Sequence, residues 1–354
     1  MNRPLKILHC PLNNGNNYWV LSRAERELGL QSDLAVLNVH PFFQNADELL
    51  GVNSVTFPNE FKRINFLLKA LKTYDIFHFN FGQTIWDHPF PLFNYLDLSL
   101  IKKRGKKIVF TYQGDDARQK DVFAKKYGKN AYGDGRYNLT DKYFDFNKRL
   151  RIKKMAKYAD AIFSHNPDIM HVLPEKTQFL PYPNVDANAV THNSNLKSKT
   201  IKIVHAPTDR QIKGTQAFLN AYKKLSLKYP LELILVENMS HNEAIRFYDK
   251  ADIAVDQLKI GWYGGFAVEL MTRGVPVISF VRESDSRQFV PFWNKMPVVN
   301  ATEESVENAL EVLIKDSTLR KKIGQQSSEF VQKYHHPLKI AQITKKTYED
   351  ISGM

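Results

Sequence analysis

Residues 251–280, ADIAVDQLKIGWYGGFAVELMTRGVPVISF, decide the fold of this chain. The apolar run Ile253–Val255 predicts a short buried strand, and the loop after it carries three glycines, at positions 261, 264 and 265. The next residues have helical periodicity, and Gly274 stands where a helix C-cap glycine belongs. Residues 275–280 are short and mostly apolar, which is typical of a strand buried on both faces of a parallel sheet.

The glycine loop predicts an anion site, because free N–H groups and the helix dipole favour negative charge at a helix N-terminus. Glu269 lies near the start of this helix. Its carboxylate would repel a phosphate there, so a better partner is a pair of hydroxyl groups such as those of a ribose. The alternative is that Glu269 only complements the helix dipole, a contribution of about 0.3–1 kcal/mol.

Residues 264–280, GGFAVELMTRGVPVISF, resemble the donor-site segment of glycosyltransferase family 4, which are retaining enzymes of the GT-B fold. The family has two glutamates with a glycine between them, and this glycine corresponds to Gly264. The second glutamate, which holds the nucleotide ribose, corresponds to Glu269. The first, which the family places near the donor sugar, corresponds to Gly261 here. The resemblance therefore implies nucleotide binding with altered contacts to the donor sugar.

Length and composition set the broad class of protein. With 354 residues, 43% of them hydrophobic, the chain is long enough for about two domains with sizeable cores. No apolar run approaches the roughly 20 residues that span a bilayer, and the N-terminal apolar stretch is too short for a signal peptide. The single cysteine, Cys10, excludes an internal disulfide and predicts a buried structural thiol in a reducing compartment. We therefore expect a cytoplasmic protein.

The net charge of +13, with a pI near 9.5, predicts an anionic partner. The lysines are scattered along helices, and neither zinc-ligand spacing nor an RNA-binding aromatic signature occurs. We therefore expect no nucleic acid, and interpret the excess charge as peripheral contact with an anionic membrane at its cytoplasmic face. Ordinary solubility remains the alternative for most of the lysines.

The first half opens with a strand over 5–9, a loop NNGNN and a helix over 18–28. Gly15 and Asn16 lie in this loop, at the edge where open parallel sheets bind ligands. A plain turn, in which Asn and Gly supply positive φ, is the alternative. The loop also resembles the glycine-rich loop that opens the N-terminal domain of the family.

A second polar loop follows the predicted strand Lys107–Tyr112 and contains Gln113, Gly114, Asp115, Asp116 and Arg118. Polar residues at the mouth of a buried strand favour binding, although an acidic helix cap is the alternative. The family often has a histidine where this chain has Gln113, which can hydrogen-bond a sugar but cannot act as a base. The resemblance implies that Gly15, Asn16, Gln113, Asp115, Asp116 and Arg118 present the acceptor.

The remaining patterns divide the chain. Residues 119–140 are weakly periodic and predict an irregular excursion over the cleft, followed by a basic helix over 141–158. The proline-containing stretch 180–200 lacks periodicity and predicts a linker. We therefore predict an N-terminal domain 1–185, a linker 186–200, a C-terminal domain 201–335, and a last helix 336–354 that crosses back to the N-terminal domain.

Arg210 and Lys213 precede a helix in the second half, after a predicted strand over 201–205. Cations at such a junction suit a diphosphate, because Arg offers a fork of donors and Lys a point charge. The family places an arginine and a lysine here to grip the donor phosphates, and Lys213 before Gly214 is the better aligned of the two. Two solvated loop residues are the alternative.

The alternation of strands and helices in two halves predicts an α/β protein with two Rossmann-like doubly wound domains that face a cleft, the GT-B fold. The resemblance implies a retaining glycosyltransferase that uses a UDP-sugar or GDP-sugar and a saccharide or lipid-linked acceptor, without cofactor or metal. Its predicted catalytic residues are Glu269, Arg210 and Lys213, and its predicted donor-binding residues are these three together with Gly264, Gly265 and Phe266. Because Gly261 and Gln113 depart from the family, a non-catalytic partner subunit is the second hypothesis.

Overall fold

A computed structural model describes residues 3–39, 42–86, 94–128, 138–185 and 200–354. The chain divides into two compact units. The first unit comprises Met1–Asp121, Tyr137–Asn184 and Pro337–Met354, and the second comprises Val122–Arg136 and Val185–His336. No helix in the described ranges is long and apolar enough to cross a membrane.

The elements up to residue 185 are β1 Lys6–Cys10, α1 Asn17–Glu27, β2 Gln31–Val36, β3 Glu48–Leu49, α2 Phe57–Thr73, β4 Ile76–Asn80, α3 Leu96–Lys103, β5 Lys107–Tyr112, α4 Lys120–Tyr127, α5 Leu139–Tyr158, β6 Ala161–Ser164 and β7 Gln178–Phe179. Short 3-10 segments occupy Asn14–Asn16 and Pro167–Val172.

The seven strands form one parallel sheet in the order β3-β2-β1-β4-β5-β6-β7. All five residues of β4 are buried, because a central parallel strand is covered on both faces. Ile7, Ile76 and Val109 contribute to the same core from three neighbouring strands. Cys10, at the end of β1, is buried in this sheet, which confirms the expected buried thiol.

The elements after residue 200 are β8 Ile201–His205, α6 Arg210–Lys213, α7 Thr215–Ser226, β9 Leu231–Leu235, α8 His241–Tyr248, β10 Ile253–Val255, α9 Gly265–Thr272, β11 Val277–Ser279, α10 Glu283–Phe289, a 3-10 turn Trp293–Lys295, β12 Val299–Asn300, α11 Val306–Lys315, α12 Ser317–Tyr334 and α13 Pro337–Ser352.

The second sheet is also parallel, with the strand order β12-β11-β10-β8-β9. Its central strands β10 and β11 are buried at every position, and Gly274 ends the α9 segment at φ +72°, as expected for a C-cap glycine. Helix α13 belongs to the first unit, where it packs along α1 and contributes Ile340 and Tyr348 to the core of the first sheet.

The predicted irregular excursion over 119–140 is wrong for its first part, because residues 120–127 form α4. Phe123 supplies the reason, since it is buried and anchors one face of the short helix. The division between the two units falls within α4, after Asp121. Residues 129–137 of the excursion and 186–199 of the predicted linker lie outside the described residues.

Candidate functional site

The candidate site of the second unit lies at the carboxyl ends of β8 and β10. The chain runs from β8 to β9 on one side and then crosses to β10 on the other side of β8. Loops that leave two such strands diverge, and ligands of open α/β sheets bind in the resulting crevice. The one-turn helix α6, which follows β8 after a short loop, carries Arg210 and Lys213, and the loop after β10 carries Gly264.

Lys213 and the glycine loop meet at a buried carboxylate, Asp256. The Lys213 Nζ donates to Asp256 Oδ1 at 2.7 Å, and the Gly264 N–H donates to Asp256 Oδ2 at 2.7 Å. Asp256 is 1% exposed and the Lys213 side chain 12% exposed. The structure therefore brings Lys213 to the start of α9, with Gly265 and Phe266 in the first turn of that helix.

Arg210 points to a different partner. Its guanidinium makes two bonds to Glu237, from Nε at 2.8 Å and from Nη2 at 2.6 Å, and its side chain is 56% exposed. The intervening one-turn helix α6 is N-capped by Asp209, whose side chain accepts from the Ile212 N–H. Arg210 and Lys213 thus stand on one turn but hold separate carboxylates.

Glu269 lies in the second turn of α9 and is almost buried, with its side chain 8% exposed. Its Oε1 is 2.9 Å from His241 Nε2, at the start of α8. Burial lowers the pKa of His241, but the hydrogen bond and charge of Glu269 outweigh this and raise the pKa above 6.5. His241 therefore gains its proton readily beside this carboxylate.

This pair makes the stability of the protein depend on pH. The raised pKa of His241 means that its stabilising contribution is full below the unfolded value of 6.5 and is lost as the pH rises through the folded value. We expect the stability difference between the wild type and His241→Gln, from urea unfolding between pH 5.5 and 8.5, to shrink with rising pH. In a Glu269→Gln background the difference should no longer shrink with rising pH, because burial alone lowers the pKa of His241; a difference that still shrinks there would contradict the pairing.

A side chain at position 261 would require rearrangement of its surroundings. The φ of Gly261 is +92°, and a Cβ at this position would overlap the Arg282 guanidinium. Arg282 lies over the Tyr127 ring at 3.7 Å and contacts the buried Asp285 at 3.3 Å. The space beside Gly261 is thus occupied by the Arg282 guanidinium.

We expect Gly261→Ala to lower the free energy of unfolding by about 2–4 kcal/mol, because left-handed strain adds to the displacement of Arg282 from Asp285. Gly105→Ala is the matched control, since Gly105 has φ +69° but nothing lies within 4 Å of the position that its added methyl group would take. It should show only the strain, about 1–2 kcal/mol. If chemical denaturation showed equal losses of unfolding free energy for Gly261→Ala and Gly105→Ala, displacement of Arg282 would make no contribution to the loss.

A hydrogen bond links the polar loop after β5 to the start of α1, which follows the polar loop after β1. Gly15 and Asn16 have φ of +62° and +60°, and they lead directly into α1. Tyr18, in the first turn of α1, accepts a hydrogen bond from Gln113 Nε2 at 2.9 Å. The structure therefore brings the loop after β1 to the loop after β5.

The acidic residues of the second loop differ in their roles. Asp116 is 3% exposed and accepts the Gly114 N–H at 2.7 Å and the Gln113 N–H at 3.1 Å, so it caps the turn. Burial raises its pKa to about 6 against the effect of these bonds. Arg118 pairs with buried Asp168 at 2.7 Å, whereas Asp115 is about half exposed. Of these charged side chains, Asp115 is the one presented to solvent.

The sequence patterns missed three residues of the second-unit site, namely Asp256, His241 and Arg282. Asp256 directly follows an apolar strand, and this position is the signal that could have identified it. His241 follows Ser240, whose capping box with Glu243 marks a helix start. Arg282 shows no comparable local signal, because Asp285 is a near neighbour in sequence but Tyr127 and Gly261, which it also contacts, lie far away along the chain.

No family model and no curated protein matches this chain. Several solved structures are similar to it over nearly their whole length. Sucrose-phosphate synthase from Thermosynechococcus elongatus has a TM-score of 0.63 and 14% identity, covering 99% of this chain and all of that one. HepE from Anabaena, in complex with UDP and glucose, has a TM-score of 0.63 and 10% identity, covering 98% and 99%. A glycosyltransferase from Rickettsia africae has a TM-score of 0.57 and 12% identity, covering 99% of both.

These likenesses, together with two parallel α/β sheets, confirm the predicted GT-B fold. The identities are too low to carry more than the fold.

Proposed function

We propose that this chain is a retaining glycosyltransferase that moves a sugar from a nucleoside diphosphate sugar to a saccharide or lipid-linked acceptor in cell-surface polysaccharide synthesis. The observation that carries the proposal is that Lys213, through Asp256, lies beside the glycine loop at the start of α9, while Glu269 stands in the second turn of that helix, at the switch point of β8 and β10. That helix start favours the diphosphate, and Glu269 accepts from the ribose hydroxyls. The UDP and glucose bound to the similarly folded HepE support this class of donor.

The transition state would gain negative charge on the leaving diphosphate, so Lys213 and the first amides of α9 would stabilise it. The bond between the anomeric carbon and the phosphate oxygen breaks, and a glycosidic bond to the acceptor oxygen forms on the same face of the sugar. The acceptor proton passes to the departing phosphate oxygen, so no side-chain base is needed and Gln113 is compatible with the reaction. The donor is a substrate, and the proposal includes no cofactor or metal.

Lys213 and Arg210 must exchange partners when the diphosphate binds. Lys213 would turn from Asp256 towards the phosphate, and Asp256 would keep the Gly264 N–H. Arg210 is more exposed, and its pair with Glu237 costs little to break, because exposed ion pairs contribute about 0–1 kcal/mol. Arg210 would then offer the second cationic contact to the diphosphate.

The acceptor would lie against the first unit, along Gly15, Asn16, Gln113 and the exposed Asp115. The buried Asp116 and Arg118 would hold the shape of this loop. We place the reaction in the cytoplasm, at the inner face of the cytoplasmic membrane.

A second candidate function is a nucleotide-binding partner subunit without turnover. Arg282 favours it, because a guanidinium stands beside Gly261 where the resembling family has a carboxylate near the donor sugar. Both candidates bind the nucleotide and differ only in the transfer step.

Hydrolysis of the donor distinguishes the two functions. The protein is incubated with UDP-glucose, UDP-galactose and GDP-mannose, and the nucleoside diphosphate and free sugar are followed by proton NMR. We expect slow release of a sugar whose first-formed anomer is that of the donor, and at least about a hundredfold loss in Lys213→Met. Binding of the nucleotide without any release would favour the partner subunit, and release of the opposite anomer would contradict a retaining enzyme.

A further inference from the structure

Helix α5 carries a row of large apolar side chains on its solvent side. Leu139, Tyr143, Phe146 and Leu150 have the spacing i, i+4, i+7 and i+11, which places them on one helix face. They are 80%, 65%, 56% and 49% exposed, respectively. Isolated exposed apolar residues are common, but a continuous row of this kind marks a surface that contacts a partner.

Lysines extend the same face of α5 beyond the apolar row. Lys153 and Lys157 follow Leu150 at the next two helical steps, and Lys142 flanks the apolar row. All three are exposed, and within the described residues their side chains have no hydrogen-bond or ion-pair partner. The helix has seven basic and two acidic residues by sequence, a net charge of +5.

Both acidic side chains of α5 form hydrogen bonds or ion pairs with other residues of the chain. Asp141 forms the capping box with Asn138 and an ion pair with Lys120 at 2.9 Å. Asp145 is 2% exposed and accepts two backbone N–H groups, those of Lys120 and Asp121. The outer face of α5 is therefore apolar and cationic, with little negative charge to oppose an anionic partner.

We propose that this face of α5 lies in the interface of an anionic lipid membrane. Aromatic and leucine side chains enter the boundary between headgroups and acyl chains, while lysines reach the anionic headgroups. A protein interface is a poorer match, because lysine is depleted at the core of such interfaces. The net charge of +13 on the whole chain adds a long-range attraction between the protein and the anionic membrane surface. The proposal does not depend on sugar transfer.

A second exposed apolar group on α2 provides an internal control. Phe57, Phe61 and Leu68 are exposed, but Asn65 interrupts the row, and the helix's Lys69 lies 3.6 Å from Glu48. We therefore expect α5, and not α2, to dominate binding to lipid.

The test is co-sedimentation of the whole chain with vesicles of phosphatidylcholine, with or without phosphatidylglycerol. We expect binding to the anionic vesicles only, weakened by salt. Tyr143→Ser with Phe146→Ser should reduce the partition coefficient at least about tenfold. Lys153→Gln with Lys157→Gln should reduce it by roughly 25-fold, about fivefold for each lysine. The control Phe57→Ser with Phe61→Ser should reduce it less than threefold, and melting temperatures show that each variant is folded.

Three outcomes overturn the proposal. The first is that the wild type does not bind anionic vesicles. The second is that the α2 variant loses as much binding as the α5 variant. The third is that light scattering shows a dimer that the α5 variant converts to a monomer without any change in vesicle binding, which would assign the row to a second copy of the chain. These experiments measure lipid binding and not nucleotide binding. A negative result would therefore contradict the membrane surface but not the proposed donor site.

Discussion

Replacing Glu25 with alanine is expected to lower the free energy of unfolding by about 3–5 kcal/mol, because it breaks a fully buried network of charged and polar groups. The Glu25 Oε2 accepts the Ser32 hydroxyl at 2.6 Å and lies 2.7 Å from His9 Nε2. Its Oε1 accepts the hydroxyls of Thr344 at 2.7 Å and Tyr348 at 3.0 Å. One carboxylate thus ties α1 to β1, β2 and the terminal helix α13.

The loss is large because alanine leaves several buried donors without an acceptor at once. Burial raises the pKa of Glu25, but the charge and hydrogen bond of His9 outweigh this and lower the pKa below 4.5. Its stabilising contribution is therefore present above pH 4.5 and is lost as the pH falls through the folded value. Urea unfolding at pH 7 and pH 4 measures both effects.

Glu25→Gln is the matched control, because it keeps the shape and one acceptor while it removes the charge. It should lose less stability than Glu25→Ala at pH 7 and show a weaker pH dependence. Hydrogen exchange should show that the amides of α13 lose protection in Glu25→Ala. A loss below 1 kcal/mol, with α13 still protected, would contradict this role of the carboxylate.

Gly324→Ala is expected to cost about 3 kcal/mol or more, despite the better helix propensity of alanine. A Cβ at Gly324, in the middle of α12, would overlap the backbone carbonyl oxygen of Gly274, at the end of α9. A backbone group cannot turn aside as a flexible side chain can, so the two helices would have to separate. Because Glu269 and the site helix α9 would move with them, nucleotide affinity should fall as well.

Ser327→Ala, one turn further along α12, tests whether any change on the buried side of this helix is harmful. Ser327 is fully buried, and its hydroxyl has no partner among the described residues. Removing it should be neutral or raise the free energy of unfolding by about 1 kcal/mol. Differential scanning calorimetry of Gly324→Ala and Ser327→Ala compares their melting temperatures. Similar melting temperatures would mean that the close approach of the two helices does not limit the size of residue 324.

The sequence was sufficient for the parallel strands and the glycine-loop unit, because their signals are local. The apolar run Lys107–Tyr112 predicted β5 with the bounds that the structure has, and Gly274 ends the segment that begins with α9. The resemblance of 264–280 predicted the GT-B fold, which the two sheets and the similar structures confirm. The roles of the predicted site residues stay predictions.

The partners of those residues could not be predicted from the sequence, since they come from distant segments. Lys213 is paired with Asp256, 43 residues later, and Glu269 with His241, 28 residues earlier. Helix α4 was missed because the apolar periodicity of its sequence is weak, whereas in the structure the burial of Phe123 anchors the helix. Long-range pairing of charges has no short-range pattern that could reveal it.

The most direct test of the nucleotide site is the melting temperature with UDP, GDP and ADP, for the wild type, Glu269→Ala and the control Glu232→Ala. Glu232 has a half-exposed side chain on β9 and no part in the proposed site. A nucleotide at a hundred times its dissociation constant adds about 2.7 kcal/mol of stability, a shift of several degrees. We predict that one diphosphate stabilises the wild type and Glu232→Ala but not Glu269→Ala. No shift with any nucleotide, or a shift that survives Glu269→Ala, would contradict the proposed donor site.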